Sequence, residues 1–118
     1  MPTRLFTDMA INPHSLLVLL CNCPDDAVAA GLARALVEEH LAACVNRLPL
    51  TASTYRWQGQ TDEEAEVLLI IKTTADRFDA LTARIVELHP YSVPEVIALP
   101  IERGLPAYLR WLVEETSS

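Results

Sequence analysis

The chain has 118 residues, of which 51% are hydrophobic and 21% are charged. This length fits one domain, and the composition excludes a disordered, collagen-like or low-complexity protein. Nine lysines and arginines against sixteen aspartates and glutamates give a formal net charge of -7, which repels the phosphates of a nucleic acid. We therefore expect no nucleic-acid partner.

The cysteine count and the apolar runs bear on location. Three cysteines are an odd number, and a chain of this size buries enough surface to fold without disulfides, so we expect a reducing compartment, the cytoplasm. The longest apolar run, Leu16–Cys21, is far shorter than a membrane span, and no membrane-spanning segment is expected. Residues 1–13 lack the pattern of a secretory signal, and we interpret them as a flexible N-terminal extension before a single domain, residues 14–118.

The first half of the domain predicts a strand, a helix and a long strand. Leu16–Cys21 is apolar on both faces, which favours a central strand. Asn22 or Cys23 is expected to cap the following helix, with Pro24 at its first position. Residues 41–58 are rich in β-branched and aromatic side chains and predict a long, interrupted second strand.

The second half predicts a hairpin, two strands and two helices. Residues 59–64 are polar and are expected to form the hairpin loop before a third strand, Val67–Thr73. Ala75–Leu88 has helical spacing, and the two prolines of residues 89–94 end that helix. A short fourth strand, Glu95–Leu99, follows.

A last amphipathic helix, Ala107–Glu115, completes the order. The order βαββαβ most simply folds as one four-stranded antiparallel sheet with two helices on one face plus a C-terminal helix, the ferredoxin-like α+β architecture. Two helices cover one face only, whereas the first, third and fourth strands are apolar on both faces. We therefore expect identical subunits to bury the bare face and the edge of the long second strand.

This topology brings several reactive side chains to one end of the sheet. Cys21 ends the first strand and Cys23 follows it, His89 lies at the end of the second helix, and the acidic segment Asp62–Glu66 belongs to the hairpin. Thiolates with an imidazole suit soft cations such as copper(I), zinc or mercury, whereas carboxylates alone suit harder cations. The set offers two or three ligands, fewer than the four of a structural zinc site. Plain structural roles stay open: a core residue for Cys21, a turn residue for Cys23 and a helix cap for His89.

The remaining candidates have ordinary structural interpretations. Cys44 lies between alanine and valine and is expected in the core. His14 and His40 have no partner pattern and are expected to be solvated or locally bonded. Tyr55 and Trp57 alternate on one strand face, which indicates packing in an interface.

No catalytic constellation is visible in the sequence. No residue has the turn context of a nucleophile elbow, and no glycine-rich loop is present to cradle a phosphate. Acylphosphatases share the predicted architecture but need an arginine in the loop after the first strand, where this chain has the acidic segment Asn22–Asp26. RNA-recognition modules need basic and aromatic side chains on central strands, which are aliphatic here. We expect no enzymatic activity.

Five motifs occur in order along the chain: Cys21–Asp25, Leu41–Asn46, Tyr55–Gly59, Lys72–Thr74 and His89–Glu95. Together they resemble the CutA divalent-cation-tolerance family, from about residue 17 to residue 113. The resemblance implies a ferredoxin-like subunit similar to the PII signalling proteins and a compact homotrimer. It also implies an association with tolerance of divalent metals, especially copper, without an established catalytic reaction.

The resemblance implies metal ligands as well. Where copper ligands are proposed in family members, one is a cysteine at the end of the first strand, which corresponds to Cys21, and the others are two histidines before Pro-Tyr. This sequence has Leu88 and His89 there, so one ligand is missing, and Cys23 is a replacement suggested by its spacing. We expect a cytoplasmic homotrimer that binds copper or another soft cation weakly. One alternative is a PII-like regulatory or scaffolding trimer that binds a small molecule or a partner protein in the clefts between subunits. Another is a purely structural, very stable trimer whose metal contacts are incidental.

Overall fold

The computed structural model describes residues 15–117. The elements are β1 Leu16–Cys23, α1 Asp26–Glu38, β2 Cys44–Trp57, β3 Gln60–Thr74, α2 Phe78–Leu88, β4 Ile97–Pro100 and α3 Pro106–Glu115, with a 3-10 turn at Ala75–Arg77. The strands form one antiparallel sheet in the order β2-β3-β1-β4, which confirms the predicted ferredoxin-like α+β fold. The predicted extension, residues 1–13, and His14 lie outside the described residues. No helix among the described residues is long and apolar enough to cross a membrane.

The start of α1 differs from the prediction. Its N-cap is Asp25, whose carboxylate accepts a hydrogen bond of 2.9 Å from the backbone N–H of Val28. The predicted caps, Asn22 and Cys23, were wrong because both residues still pair with β3 as the end of β1. Pro24 therefore precedes the helix and does not occupy its first position.

The hairpin between β2 and β3 has a two-residue tip. Gln58 and Gly59 both have positive φ angles, 50° and 81°, as a tight turn between twisted strands requires. The prediction of a polar loop over residues 59–64 was wrong, since β3 begins at Gln60 and its acidic residues pair with β2. The carboxylates therefore stand on a strand at fixed positions.

The predicted interruption of β2 is confirmed by its register. The pairing with β3 shifts between Leu48 and Thr51, and Leu50 between them has a φ of 62° and is 98% exposed. Pro49 has no N–H to donate to the ladder, which explains why the irregularity falls here. This bulge separates an aliphatic base of the hairpin from a distal half that carries acidic and aromatic side chains.

One face of the sheet packs against α1 and α2 and forms the main core. Its fully buried members come from two strands and both helices: Leu19, Cys21, Cys23, Leu69, Ile71, Ala29, Leu32, Leu36, Leu81 and Ile85. A second cluster joins Leu109 and Leu112 of α3 to Leu16 and Ala43. Since Leu16 and Leu19 lie on opposite faces of β1, α3 covers one end of the other face.

The rest of that other face is aliphatic and bare in the single chain. The alternating residues of three paired strands line it: Val18, Leu20, Leu68, Ile70, Ile97 and Leu99. Ile97 and Leu99 of β4 are 51% and 52% exposed. Burial of this surface between identical subunits stays a prediction.

Candidate metal site

Cys21, Cys23 and His89 meet at the end of β1. Their ligand atoms all lie within 4.8 Å of one another, and no other trio of His, Cys, Asp and Glu side chains converges in this way within residues 15–117. The two thiols share a side because residues two apart on a strand point the same way. His89 follows directly after α2, where its backbone N–H donates to the carbonyl of Ile85 at 2.8 Å. The structure thus brings the three predicted ligands together, and their role as ligands stays a prediction.

The trio is closed off from solvent. Cys21 and Cys23 are 0% exposed and His89 is 6% exposed. Cys21 belongs to the core, as its plain structural interpretation expected, and this burial is compatible with ligation. Cys23 is a buried strand residue, so its interpretation as a turn residue was wrong.

Both ring nitrogens of His89 already have partners. Nδ1 accepts a hydrogen bond of 3.1 Å from the backbone N–H of Tyr91. Nε2 lies 2.7 Å from the carbonyl oxygen of Asn22, and because Nδ1 is the acceptor, Nε2 carries the proton and donates it. The ring is therefore held as a neutral imidazole against β1. His89 is the C-cap residue of α2, but its ring contacts β1 and does not act as an imidazolium cap of the helix.

The two thiols influence each other's ionisation. A side-chain hydrogen bond between them is the main cause that raises the pKa of the Cys21 thiol and lowers the pKa of the Cys23 thiol. Burial also raises the pKa of Cys21, and the carboxylates of Glu95 and Glu66 add to that effect. The pair therefore holds one proton tightly on Cys21 and releases the other from Cys23 more readily.

This chemistry fits a soft cation. Two sulfurs and one imidazole nitrogen suit copper(I) and similar metals better than magnesium or calcium, which prefer oxygen ligands. Binding at His89 requires that either the Tyr91 N–H leaves Nδ1 or the proton leaves Nε2. The lost hydrogen bond costs roughly 0.5–1.5 kcal/mol, and the thiols must also release protons.

An acidic and aromatic cleft of about 530 Å³ lies near the trio. The distal hairpin and the loop after α2 supply its lining: Asn22, Ser53, Tyr55, Trp57, Asp62, Glu64, Glu66, Tyr91, Ser92, Val93 and Glu95. The hydroxyl of Tyr91 donates to Glu66 at 2.8 Å, and the side-chain amide of Asn22 donates to Glu95 at 2.6 Å. These bonds fix the loop across the end of the sheet.

The other candidates take structural positions. Cys44 is half-buried at the start of β2, so the expectation of core burial was wrong. His40 is exposed and its Nδ1 lies 3.0 Å from the carbonyl oxygen of Glu115, a partner distant in the chain. Tyr55 and Trp57 share one face of β2, as predicted, and line the cleft. Their packing in a subunit interface stays a prediction.

Sequence reasoning missed Asn22 and Tyr91. Asn22 was expected to be a helix cap, yet its carbonyl oxygen holds the ring of His89 and its amide holds Glu95. Tyr91 bridges the two sites, since its backbone N–H reaches His89 and its hydroxyl reaches Glu66. The signal was the position of Tyr91 two residues after a candidate ligand, in a loop that two prolines make rigid.

Several known proteins are similar to this chain in sequence. The profile of the family described as "CutA1 divalent ion tolerance protein" matches residues 17–115. A divalent-cation tolerance protein CutA from Thermus thermophilus is 52% identical over 99 residues, covering 84% of this chain and 96% of that protein. The Protein CutA of Mus musculus is 47% identical over 106 residues, and this match spans 90% of the chain but only 60% of the mouse protein.

The fold agrees with the sequence match. The solved structure of the divalent cation tolerance protein (Cut A1) from Thermus thermophilus superposes with a TM-score of 0.85 at 51% identity, covering 86% of this chain and 99% of that structure. The chain belongs to the CutA1 divalent ion tolerance family.

Proposed function

We propose that this chain is a non-catalytic metal-tolerance protein that binds copper or another soft cation at Cys21, Cys23 and His89. The observation that carries the proposal is the convergence of two thiols and one imidazole within 4.8 Å. The family supports a role in divalent-cation tolerance. The choice of copper comes from the donor set, since sulfur and imidazole favour soft and borderline metals.

Weak binding follows from the geometry. The trio supplies three ligands, so a bound ion has no fourth protein donor among them. Both ring nitrogens of His89 are hydrogen-bonded, so a metal that binds this ring must displace a hydrogen bond. Because the three side chains are buried, the residues around them must also shift to admit the ion. We propose that the protein holds its metal transiently.

Metal titration tests this proposal. Under reducing conditions the intact protein should bind one copper(I) per chain, measured by competition with a chromogenic copper(I) chelator. Cys21→Ser and His89→Ala should each abolish stoichiometric binding. Cys44→Ser is the matched control, because it removes a thiol that lies outside the trio, and it should bind as the parent does. Unchanged binding in the first two variants would refute the assignment.

We further propose that the protein is a homotrimer and works in the cytoplasm. The bare aliphatic face of β1, β3 and β4 supports self-association, because a soluble protein rarely leaves such a surface in water. The free state of all three cysteines among the described residues fits a reducing compartment. Light scattering gives the mass, and fractionation of the source cells gives the location. A monomer would contradict the first proposal, and recovery outside the cytoplasm would contradict the second.

The second candidate function is a regulatory or scaffolding trimer that binds a small molecule or a partner protein. The cleft of about 530 Å³ favours it, since this volume is within the range of small-molecule sites. A thermal-shift screen of metabolites tests this candidate. If no compound raises the midpoint of unfolding and no protein co-purifies with the trimer, the candidate is refuted.

A further inference from the structure

We propose that Tyr91 controls metal binding at His89, because the loop after α2 must release the imidazole ring before either ring nitrogen can bind an ion. This inference rests on the proposed metal site and specifies how that site is regulated. Tyr91 is not one of the three candidate ligands. It is a positioning residue that holds His89 with both ring nitrogens engaged in hydrogen bonds.

The same hydrogen bond is lost whichever nitrogen of His89 binds the ion. Nδ1 accepts from the backbone N–H of Tyr91 at 3.1 Å, and Nε2 donates its proton to the carbonyl oxygen of Asn22 at 2.7 Å. An ion at Nδ1 takes the lone pair that the N–H of Tyr91 uses. An ion at Nε2 displaces the proton there, and a neutral imidazole then carries its proton on Nδ1, where two donors face each other. A flip of the ring puts a carbon in place of Nδ1 and loses the bond as well.

The side chain of Tyr91 opposes this release. Its hydroxyl donates to the carboxylate of Glu66 at 2.8 Å, and Glu66 is only 7% exposed, so water replaces this bond poorly. The ring of Tyr91 also contacts that of His89, with centroids 4.6 Å apart. Pro90 fixes one of the backbone rotations that could turn the N–H of Tyr91 away. A metal must therefore bind against this anchor, which lowers the affinity of the site.

Tyr91 also links the candidate metal site to the other face of the sheet. Val67 pairs with Cys23 and shares its face, so the next residue along β3, Glu66, points to the opposite face. Through its N–H and its hydroxyl, Tyr91 joins His89 to Glu66. Since a coupling between two sites is reciprocal, a contact that holds Tyr91 on Glu66 weakens metal binding, and removal of that contact strengthens it.

Copper(I) titration of the intact Tyr91→Phe protein, under reducing conditions and against a chromogenic chelator, tests the proposal. The variant lacks the anchoring hydroxyl but keeps all three ligands and the backbone N–H. We expect it to bind copper(I) about tenfold more tightly than the parent, the equivalent of one hydrogen bond to a charged group. Tyr55→Phe is the matched control, because it removes the same atom from an exposed pair, Tyr55 and Glu64, and it should bind as the parent does.

Nuclear magnetic resonance supplies a readout that a general loss of stability would not move. Before copper is added, the nitrogen spectrum of His89 should show the ring proton on Nε2. With one equivalent of copper(I), the amide signal of Tyr91 should shift and its hydrogen exchange should accelerate, because the N–H loses its acceptor. Leu112→Ala is the control for stability, since it weakens the second cluster and not the one that contains the thiols, and its copper affinity should match the parent's.

Tighter binding in Tyr91→Phe, unchanged binding in both controls and a displaced Tyr91 amide support the proposal. Copper binding with an unmoved Tyr91 amide would overturn the coupling and leave the proposed metal site standing. Equal or weaker binding in Tyr91→Phe, or an equal gain in Leu112→Ala, would do the same. Absence of copper binding in the parent would overturn both the coupling and the site.

Discussion

The hydroxyl of Tyr91 offers a sharp test of how burial sets the strength of a polar contact. It donates to Glu66 at 2.8 Å, and Glu66 is almost fully buried. Burial and this hydrogen bond both raise the pKa of Tyr91, so the hydroxyl keeps its proton and stays a donor at neutral pH. Tyr91→Phe deletes the donor and leaves a buried carboxylate oxygen without it.

The expected cost follows from the state of the abandoned partner. Hydrogen bonds to charged groups contribute about 1.5–3 kcal/mol, and a buried carboxylate has little water to replace the lost donor. We therefore expect Tyr91→Phe to lower the free energy of unfolding by about 2 kcal/mol. That is a large share of the ~5–15 kcal/mol that stabilises a typical domain.

Tyr55 supplies a control of the same chemistry. Its hydroxyl donates to Glu64 at 3.0 Å, but both side chains are exposed, so water replaces the bond in Tyr55→Phe and stability should hardly change. Urea unfolding of the parent and both variants at one protein concentration measures the difference, because the apparent stability of the proposed trimer would depend on concentration. Equal losses in the two variants would refute the argument from burial.

Three further predictions concern the thiols, the cap of α1 and the bare face. The pKa of Cys23 is lowered and that of Cys21 is raised, so in a Cys44→Ser variant one thiolate should form below the usual thiol pKa of 9.0 and the other above it. The ultraviolet absorbance of the thiolates follows both ionisations. The free energy of unfolding should rise as the pH approaches 9.0, because folded Cys23 has already released a proton that the unfolded chain still holds. It should fall above pH 9.0, because the unfolded chain then releases the proton that folded Cys21 keeps, and each slope is at most about 1.4 kcal/mol per pH unit. A flat profile would contradict the coupling of the two thiols. Asp25→Ala should cost about 1 kcal/mol in urea unfolding, since it removes the N-cap acceptor, whereas no loss would show that water serves as well. Leu99→Asp should dissociate the proposed trimer, because it places a charge on the bare face, and light scattering measures the mass. An unchanged mass would show that the bare face is not the interface.

Much of the fold follows from local patterns in the sequence. The apolar runs of β1 and β3 are too short for helices and too apolar for surface strands, and α1 and α2 have clear helical periodicity. The order of these elements then leaves few topologies, and the ferredoxin-like one is the simplest. Element ends were less predictable. The polar residues at the start of β3 have the composition of a loop. They form a strand because a turn of only two residues brings them into pairing with β2.

The sequence predicted which residues converge at the candidate metal site but not the hydrogen bonds that hold them there. Topology alone places the end of β1 beside the end of α2, which brings two thiols and His89 to one place. The state of the imidazole depends on finer detail, because its Nε2 bonds a carbonyl that is positioned only if β1 continues through Asn22. The sequence favoured a helix cap at that residue, and the competing strand pairing prevailed.

The cleft depends on long-range contacts that no local pattern encodes. Its floor comes from alternate residues of the distal hairpin, and its wall comes from the loop after α2, which is distant in the chain and is joined to the floor by the bond from Tyr91 to Glu66. The same loop holds the ring of His89 through the N–H of Tyr91. A run of acidic residues, considered alone, is most simply a solvated hairpin. In the folded chain these carboxylates are confined, because Tyr91 of the loop after α2 bonds Glu66 across the end of the sheet.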